Sequence, residues 1–232
     1  MSTTNLPSNS YIPKMEIDST INRVYAVNIK YNSQLVEGDL YYSDDFGQTW
    51  IKNSTLPSDH VTNIYIKNHI VYVTTHGDGL LISTDGGTTW EQKTTANGLA
   101  TNELTSVYVK NSTILLGGEN GQASVSYDNG SHWENYGITD GLSGQSAAVF
   151  IGNDNSLFNG TFGEGLFYLP TTEKSWKRYS EAVAPTMPFI RLAVVWFSSI
   201  FVFIMLNQKW LKLTYIAGIA IQQKRLKQEK TN

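Results

Sequence analysis

Ser83-Thr84-Asp85-Gly86-Gly87-Thr88-Thr89-Trp90 reads Ser-x-Asp-x-Gly-x-Thr-Trp. The same pattern occurs earlier as Ser43-Asp44-Asp45-Phe46-Gly47-Gln48-Thr49-Trp50, and later as Ser126-Tyr127-Asp128-Asn129-Gly130-Ser131-His132-Trp133, where His132 replaces the Thr. A worn fourth copy ends at Ser175-Trp176 and lacks both the Asp and the Gly. The successive Trp residues are 40, 43 and 43 positions apart. A fixed period of this size signals a solenoid, a propeller or an array. The eight residues suit a tight β-hairpin. Asp accepts hydrogen bonds from amides two or more residues on, and Gly tolerates positive φ. The Thr then starts a return strand, and the Trp places a large apolar surface between neighbouring units.

Working outward, each repeat reads as four strands. The inner strand is expected at residues 24–29, 61–66, 104–109 and 147–151. A second strand follows, such as residues 70–74 or 114–117, then a Gly-rich turn: His76-Gly77-Asp78-Gly79, Glu119-Asn120-Gly121 or Gly163-Glu164-Gly165. The third strand runs into the Ser-x-Asp-x-Gly turn and the Trp opens the fourth. Four short strands in about 43 residues make one propeller blade. Four blades are the lower limit for closure. Three arrangements remain open: a small four-bladed ring, an open arc, or an arc completed by a second copy. Residues 1–17 read as a polar arm that adds an edge strand.

These residues resemble the Asp-box, or BNR, repeat of sialidases, sortilin-type receptors, photosystem II assembly factors and bacterial surface proteins. The segments Thr95-Ala96-Asn97-Gly98-Leu99 and Thr139-Asp140-Gly141-Leu142 also resemble the entry of propellers on two-component sensors. The resemblance implies an all-β fold with about four four-stranded Asp-box blades. It gives Ser43, Asp45, Gly47 and Trp50, Ser83, Asp85, Gly87 and Trp90, Ser126, Asp128, Gly130 and Trp133, and Trp176 a structural role at the blade periphery. It also implies that loops joining strands two and three share a face with loops joining the fourth strand to the next first strand. That face would carry Asp78, Asn97, Glu103, Glu119, Asn120, Asp140 and Glu164, the candidate partner-binding residues.

The chain has 232 residues, 19 of them Gly, and no cysteine. Disulfides and Cys-ligated metals are therefore excluded. The net charge of −3 is split. Up to Thr186 there are 10 Lys and Arg against 19 Asp and Glu; from Met187 onward there are 7 against 1. An acidic β domain lacks the basic footprint expected for nucleic acid.

Two prolines mark a linker at residues 182–188. Residues 189–206 are apolar with one charge, Arg191, near the outer end. At about 1.5 Å per residue such a helix crosses most of a bilayer core of about 30 Å. The reading is one transmembrane helix over 189–207 and a basic, partly amphipathic tail over 208–232, with Arg191, Trp196, Trp210 and Tyr215 as anchor residues. The lysines and arginines after the span place the C-terminus in the cytoplasm and the propeller on the periplasmic or extracytoplasmic side. No leader with a basic and an apolar region is visible, so a cytoplasmic, tail-anchored propeller is the competing topology.

Chemistry is sparse. The resemblance to sialidases implies three arginines gripping a carboxylate, because the guanidinium fork matches it. This chain has only Arg23, Arg178, Arg191 and Arg225, of which Arg191 belongs to the expected span and Arg225 to the tail. His60, His69, His76 and His132 lack the spacing of a metal site. The expectation is therefore a non-catalytic module without cofactor or metal, an accessory or assembly subunit of an integral membrane complex. The alternatives are an extracytoplasmic sensor or ligand-binding input domain, or a glycan-active hydrolase.

Overall fold

The computed structural model describes residues 6, 7, 10–31 and 36–179. The expected linker, span and tail, with Arg191, Trp196, Trp210 and Tyr215, lie outside the described residues. Among the described residues no helix is long and apolar enough to cross a membrane.

The described chain is all-β. Four antiparallel four-stranded sheets follow one another, each built from four consecutive strands. Blade one contains β1 (Ser10–Asp18), β2 (Arg23–Tyr31), β3 (Val36–Ser43) and β4 (Ile51–Lys52). Blade two contains β5 (Val61–Lys67), β6 (Ile70–Thr75), β7 (Leu80–Ser83) and β8 (Glu91–Lys93). Blade three contains β9 (Leu104–Lys110), β10 (Thr113–Gly118), β11 (Ala123–Ser126) and β12 (Glu134–Tyr136). Blade four contains β13 (Ser146–Ile151), β14 (Leu157–Thr161), β15 (Gly165–Leu169) and β16 (Lys177–Arg178).

The sequence reading made residues 24–29 an inner strand and residues 1–17 an arm. The pairing corrects this. β2, which holds Val24 to Ile29, is the second strand of its sheet, and β1 pairs with it from Ser10↔Lys30 to Asp18↔Arg23. The strand expected within the arm is β1, but the polar alternation of Lys14, Glu16 and Asp18 gave no sign that it is the first strand of a blade, because half of a two-faced strand is polar by construction.

In blades two and three both faces of the middle strands are apolar, because each of these sheets is sandwiched between two others. Tyr25, Val27 and Leu40 of blade one pack with Ile64, Val71, Val73 and Leu81 of blade two. Tyr72, Leu80 and Ile82 of blade two pack with Val107, Val109, Ile114 and Leu116 of blade three. Leu115, Ala123 and Val125 of blade three pack with Val149, Ile151, Leu157 and Phe167 of blade four. The first strands lie inside and pack in series, β1 on β5, β5 on β9 and β9 on β13. Hydroxyls lace them: Thr62 Oγ1 donates to the Leu104 carbonyl at 2.7 Å, and Thr105 Oγ1 donates to the Ser146 carbonyl at 2.8 Å.

The four blades form an open arc rather than a ring. Met15 and Ile17 on β1 are 50% and 53% exposed, whereas their repeat equivalents in blade three, Val107 and Val109, are 6% and 1% exposed. Closure by blade four would bury them, as blade two buries Val107 and Val109.

One further regularity locks each blade. A leucine from the loop before the first strand sits with the Trp after the third: Leu56 with Trp90, Leu99 with Trp133 and Leu142 with Trp176. Each Trp follows its leucine by 34 residues. In blade one Leu6 takes this place beside Trp50, Ala26 and Tyr41. Leu6 therefore fills the place of a blade-leading leucine.

Candidate binding face

Antiparallel meanders put alternate turns at opposite ends of a blade, so the two ends carry different chemistry. At one end lie the Ser-x-Asp-x-Gly turns, and all three close in the same way. Asp45 Oδ1 accepts from Ser43 Oγ at 2.7 Å and the Thr49 amide at 2.8 Å, while Oδ2 accepts from Thr49 Oγ1 at 2.6 Å. Asp85 repeats this with Ser83, Thr88 and Thr89. Asp128 does so with Ser126, Ser131 and His132, whose Nδ1 lies 2.6 Å from Oδ2 and replaces the threonine hydroxyl. The Ser43, Ser83 and Ser126 hydroxyls each accept from the amide of Gly47, Gly87 or Gly130 at 2.7 Å. Hydrogen bonds from the Thr49 side chain and amide hold the Asp45 carboxyl down to about 2. Those from residue 89 and residue 132 hold Asp85 and Asp128 lower still than the usual carboxylate range. These carboxylates are satisfied within their own turns. The worn fourth copy has Leu169 at the Ser position and keeps only Trp176, which is 4% exposed.

The turn of blade two is also a junction piece. The Gly86 carbonyl accepts from Tyr25 and Arg23, and the Gly87 carbonyl accepts from Asn53 Nδ2 at 2.9 Å. Arg23 forks onto Asp44 at 2.6 and 2.8 Å and lies 4.2 Å over the Tyr42 ring. It is engaged between blades.

The other end is the candidate site. Here the turns between strands two and three meet the loops leading into the next blade, as expected. The Gly77 and Gly79 amides donate to the Asn102 carbonyl at 3.0 and 3.1 Å. The Glu119 amide donates to the Glu103 carbonyl, and the Gly121 amide to the Gly144 carbonyl. The Phe162 amide donates to the Gln145 carbonyl at 2.9 Å. Backbone bonds thus stitch one continuous rim across blades two to four. Loops pinned this way present side chains at fixed spacing.

The rim is acidic. Glu119 is within 3.1 Å of Gln145 Nε2 and 3.6 Å of His76 Nε2. Glu164 is exposed and 3.8 Å from Arg178. Asp78 accepts from Ser58 Oγ at 2.7 Å. Glu103 sits beside Asn102, and Asn120 is exposed at a positive φ of 56°.

Two of the seven candidates serve the fold. Asn97 Oδ1 accepts from the Thr94 amide at 2.9 Å, and Asp140 Oδ2 accepts from the Gly137 amide at 2.9 Å. Each closes the short 3-10 turn that leads to Leu99 or Leu142. Asn102 escaped the sequence reading. Its carbonyl takes two amides and its side chain takes the Thr95 amide at 2.8 Å. Only its side-chain type had a sequence signal; the role of its carbonyl is set by backbone position, which the residue name does not carry.

Blade one ends differently. Asp39, 3% exposed, is bound by Lys30 at 2.8 Å and Lys52 at 2.6 Å. Burial pushes its carboxyl up, but the two ammonium groups outweigh this and leave it below the usual range.

No family model matches the sequence, and no curated protein matches it. Solved structures do resemble the fold. YCF48 from Cyanidioschyzon merolae is 16% identical with a TM-score of 0.52, over 76% of this chain and 59% of that one. A structure of YCF48 bound to D1 peptide gives 16% and 0.55, over 77% and 56%. The extracellular domain of BT4673 from B. thetaiotaomicron, described as a one-component system, gives 16% and 0.58, over 75% and 22%. A xyloglucanase from Xanthomonas campestris gives 17% and 0.54, over 73% and 30%. The chain therefore spans between about a fifth and three fifths of these structures. At this identity the likeness shows the fold alone, which is that of a β-propeller.

Proposed function

We propose that this chain is a non-catalytic, membrane-anchored Asp-box propeller that holds a protein partner within a larger membrane complex. The carrying observation is the stitched acidic rim, with Asp78, Glu103, Glu119 and Glu164 held at consecutive blade ends. Fixed, spaced carboxylates suit a basic or polar partner segment, since a preorganised surface lowers the ordering cost of association. The likeness to a peptide-bound YCF48 supports a protein ligand. The apolar residues 189–207 supply the anchor, and the excess of Lys and Arg after them favours an extracytoplasmic propeller. A second reading, an input domain for a separate signalling partner, is favoured by the likeness to the BT4673 extracellular domain.

The test is gentle detergent extraction of the native membrane, followed by a native gel and mass spectrometry of whatever travels with the chain. Under the first reading it co-migrates at fixed stoichiometry. Glu119→Lys with Glu164→Lys then abolishes co-migration without shifting the melting temperature by more than about 2 °C, as expected for surface changes. Migration alone would overturn the assembly role and leave the sensor reading.

A further inference from the structure

The two ends of the arc are the two halves of one junction that the chain makes three times internally. The face that a blade offers to its successor is Tyr72, Leu80 and Ile82 in blade two and Leu115, Ala123 and Val125 in blade three, all buried. Strand register puts Phe158, Leu166 and Tyr168 at these positions in blade four. Phe158 and Leu166 remain half-buried, and the Phe158 ring stacks on Tyr168 with centroids 6.5 Å apart.

The receiving face in blade three contains Val107, Val109 and Ile114. Register puts Met15, Ile17 and Val24 there in blade one. Blade one is otherwise built as though another blade preceded it, since Leu6 and Trp50 fill its outer part as Leu99 and Trp133 do in blade three. The arc thus ends in an apolar donor face and an apolar acceptor face whose complementarity the internal junctions already demonstrate.

We propose that a second copy of this chain covers both faces, head to tail, so that two arcs form one eight-bladed ring about a two-fold axis. Propellers hold four to eight blades. Two arcs of four reach eight, whereas three would make twelve. A head-to-tail contact must close or it grows into a filament, and the two-fold closes it with two identical junctions. In the ring, Phe158 and Tyr168 of one copy lie against Ile17 and Val24 of the other, as Tyr72 and Ile82 lie with Val109 and Ile114. Ala147 replaces Thr62 and Thr105 at the end of the series, so this junction rests on apolar contact. The inference stands apart from the acidic rim.

The mass of the full chain in detergent, by light scattering, tests this. The expected protein mass is twice 25.9 kDa. Met15→Glu with Ile17→Glu halves it while leaving the melting temperature of the lone arc unchanged, because both side chains are about half exposed there. A one-chain mass for the unaltered protein, or a pair that survives the two glutamates, overturns the proposal. Should that variant fail to fold, cysteines decide, since the chain has none of its own. Ile17→Cys chains mixed with Phe158→Cys chains are joined by a short bis-maleimide, and neither variant alone is joined. A link within either variant alone, or none in the mixture, refutes the head-to-tail ring.

Discussion

Gly38→Ala should separate blades one and two. Gly38 lies on β3, where its amide donates to the Asp59 carbonyl at 2.7 Å and its backbone bridges to His60 in parallel. A Cβ there would meet the Val61 carbonyl oxygen at 2.0 Å, the Val61 nitrogen at 2.7 Å and the Val61 carbon at 2.8 Å. Ordinary contact begins at 3.4 Å, so β5 would have to retreat by about 1.4 Å. The obstacle is backbone, which no rotamer change removes. Overpacking of this kind costs about 1–3 kcal/mol, and losing the amide bond adds about 1 kcal/mol. At about 2–4 °C per kcal/mol for a domain of this size, the melting temperature should fall by roughly 4–16 °C. Tryptophan emission during a thermal ramp of the full chain in detergent is the readout, because Trp50, Trp90, Trp133 and Trp176 all pack into blade faces. The control is Gly137→Ala, whose Cβ meets nothing within 4 Å at a φ of −150°. If Gly38→Ala melts within about 2 °C of Gly137→Ala, the backbone of Gly38 does not lie against Val61 as closely as described.

Three other outcomes are expected. Leu142→Ala, at a side chain with 0% exposure beside Trp176, should cost about 2–5 kcal/mol in urea unfolding, and Thr139→Ala at an exposed position should cost little. Asn159→Leu should raise stability by about 1 kcal/mol or more, since both amide atoms of Asn159 are buried without a hydrogen-bond partner among the described residues and Leu116 holds the equivalent place in blade three. Asp45, Asp85 and Asp128 have folded values below the ordinary 3.8, so their ionised forms favour the fold. Their contribution is present above about pH 4 and diminishes as pH falls, being lost for Asp45 near about 2 and for Asp85 and Asp128 at still lower pH; acid unfolding followed by circular dichroism should therefore begin at higher pH in Asp85→Asn, which lacks this contribution, than in the unaltered chain.

Much of this was legible in residue names alone. The Ser-x-Asp-x-Gly turns were, because a hydroxyl, a carboxylate and a glycine at fixed spacing can satisfy each other locally without help from distant chain. So was the blade period, since the Trp after each turn must meet the same neighbour geometry every time. Which turns share the acidic end followed from the resemblance to Asp-box propellers.

Only the tertiary structure decided the rest. That β1 is the first strand of blade one, and not an added edge, was hidden because its polar alternation resembles an arm until β2 pairs with it. Asn97 and Asp140 looked like surface contacts, yet their acceptor atoms turn onto the amides of Thr94 and Gly137. Leu6 became the counterpart of Leu99 only through contact with Trp50, because the longer first blade breaks the 34-residue spacing. Whether four blades close is likewise not written in any one of them. It depends on the summed rotation from blade to blade, a property of packed faces, and it leaves Met15 and Ile17 in the open where their equivalents in the inner blades are covered.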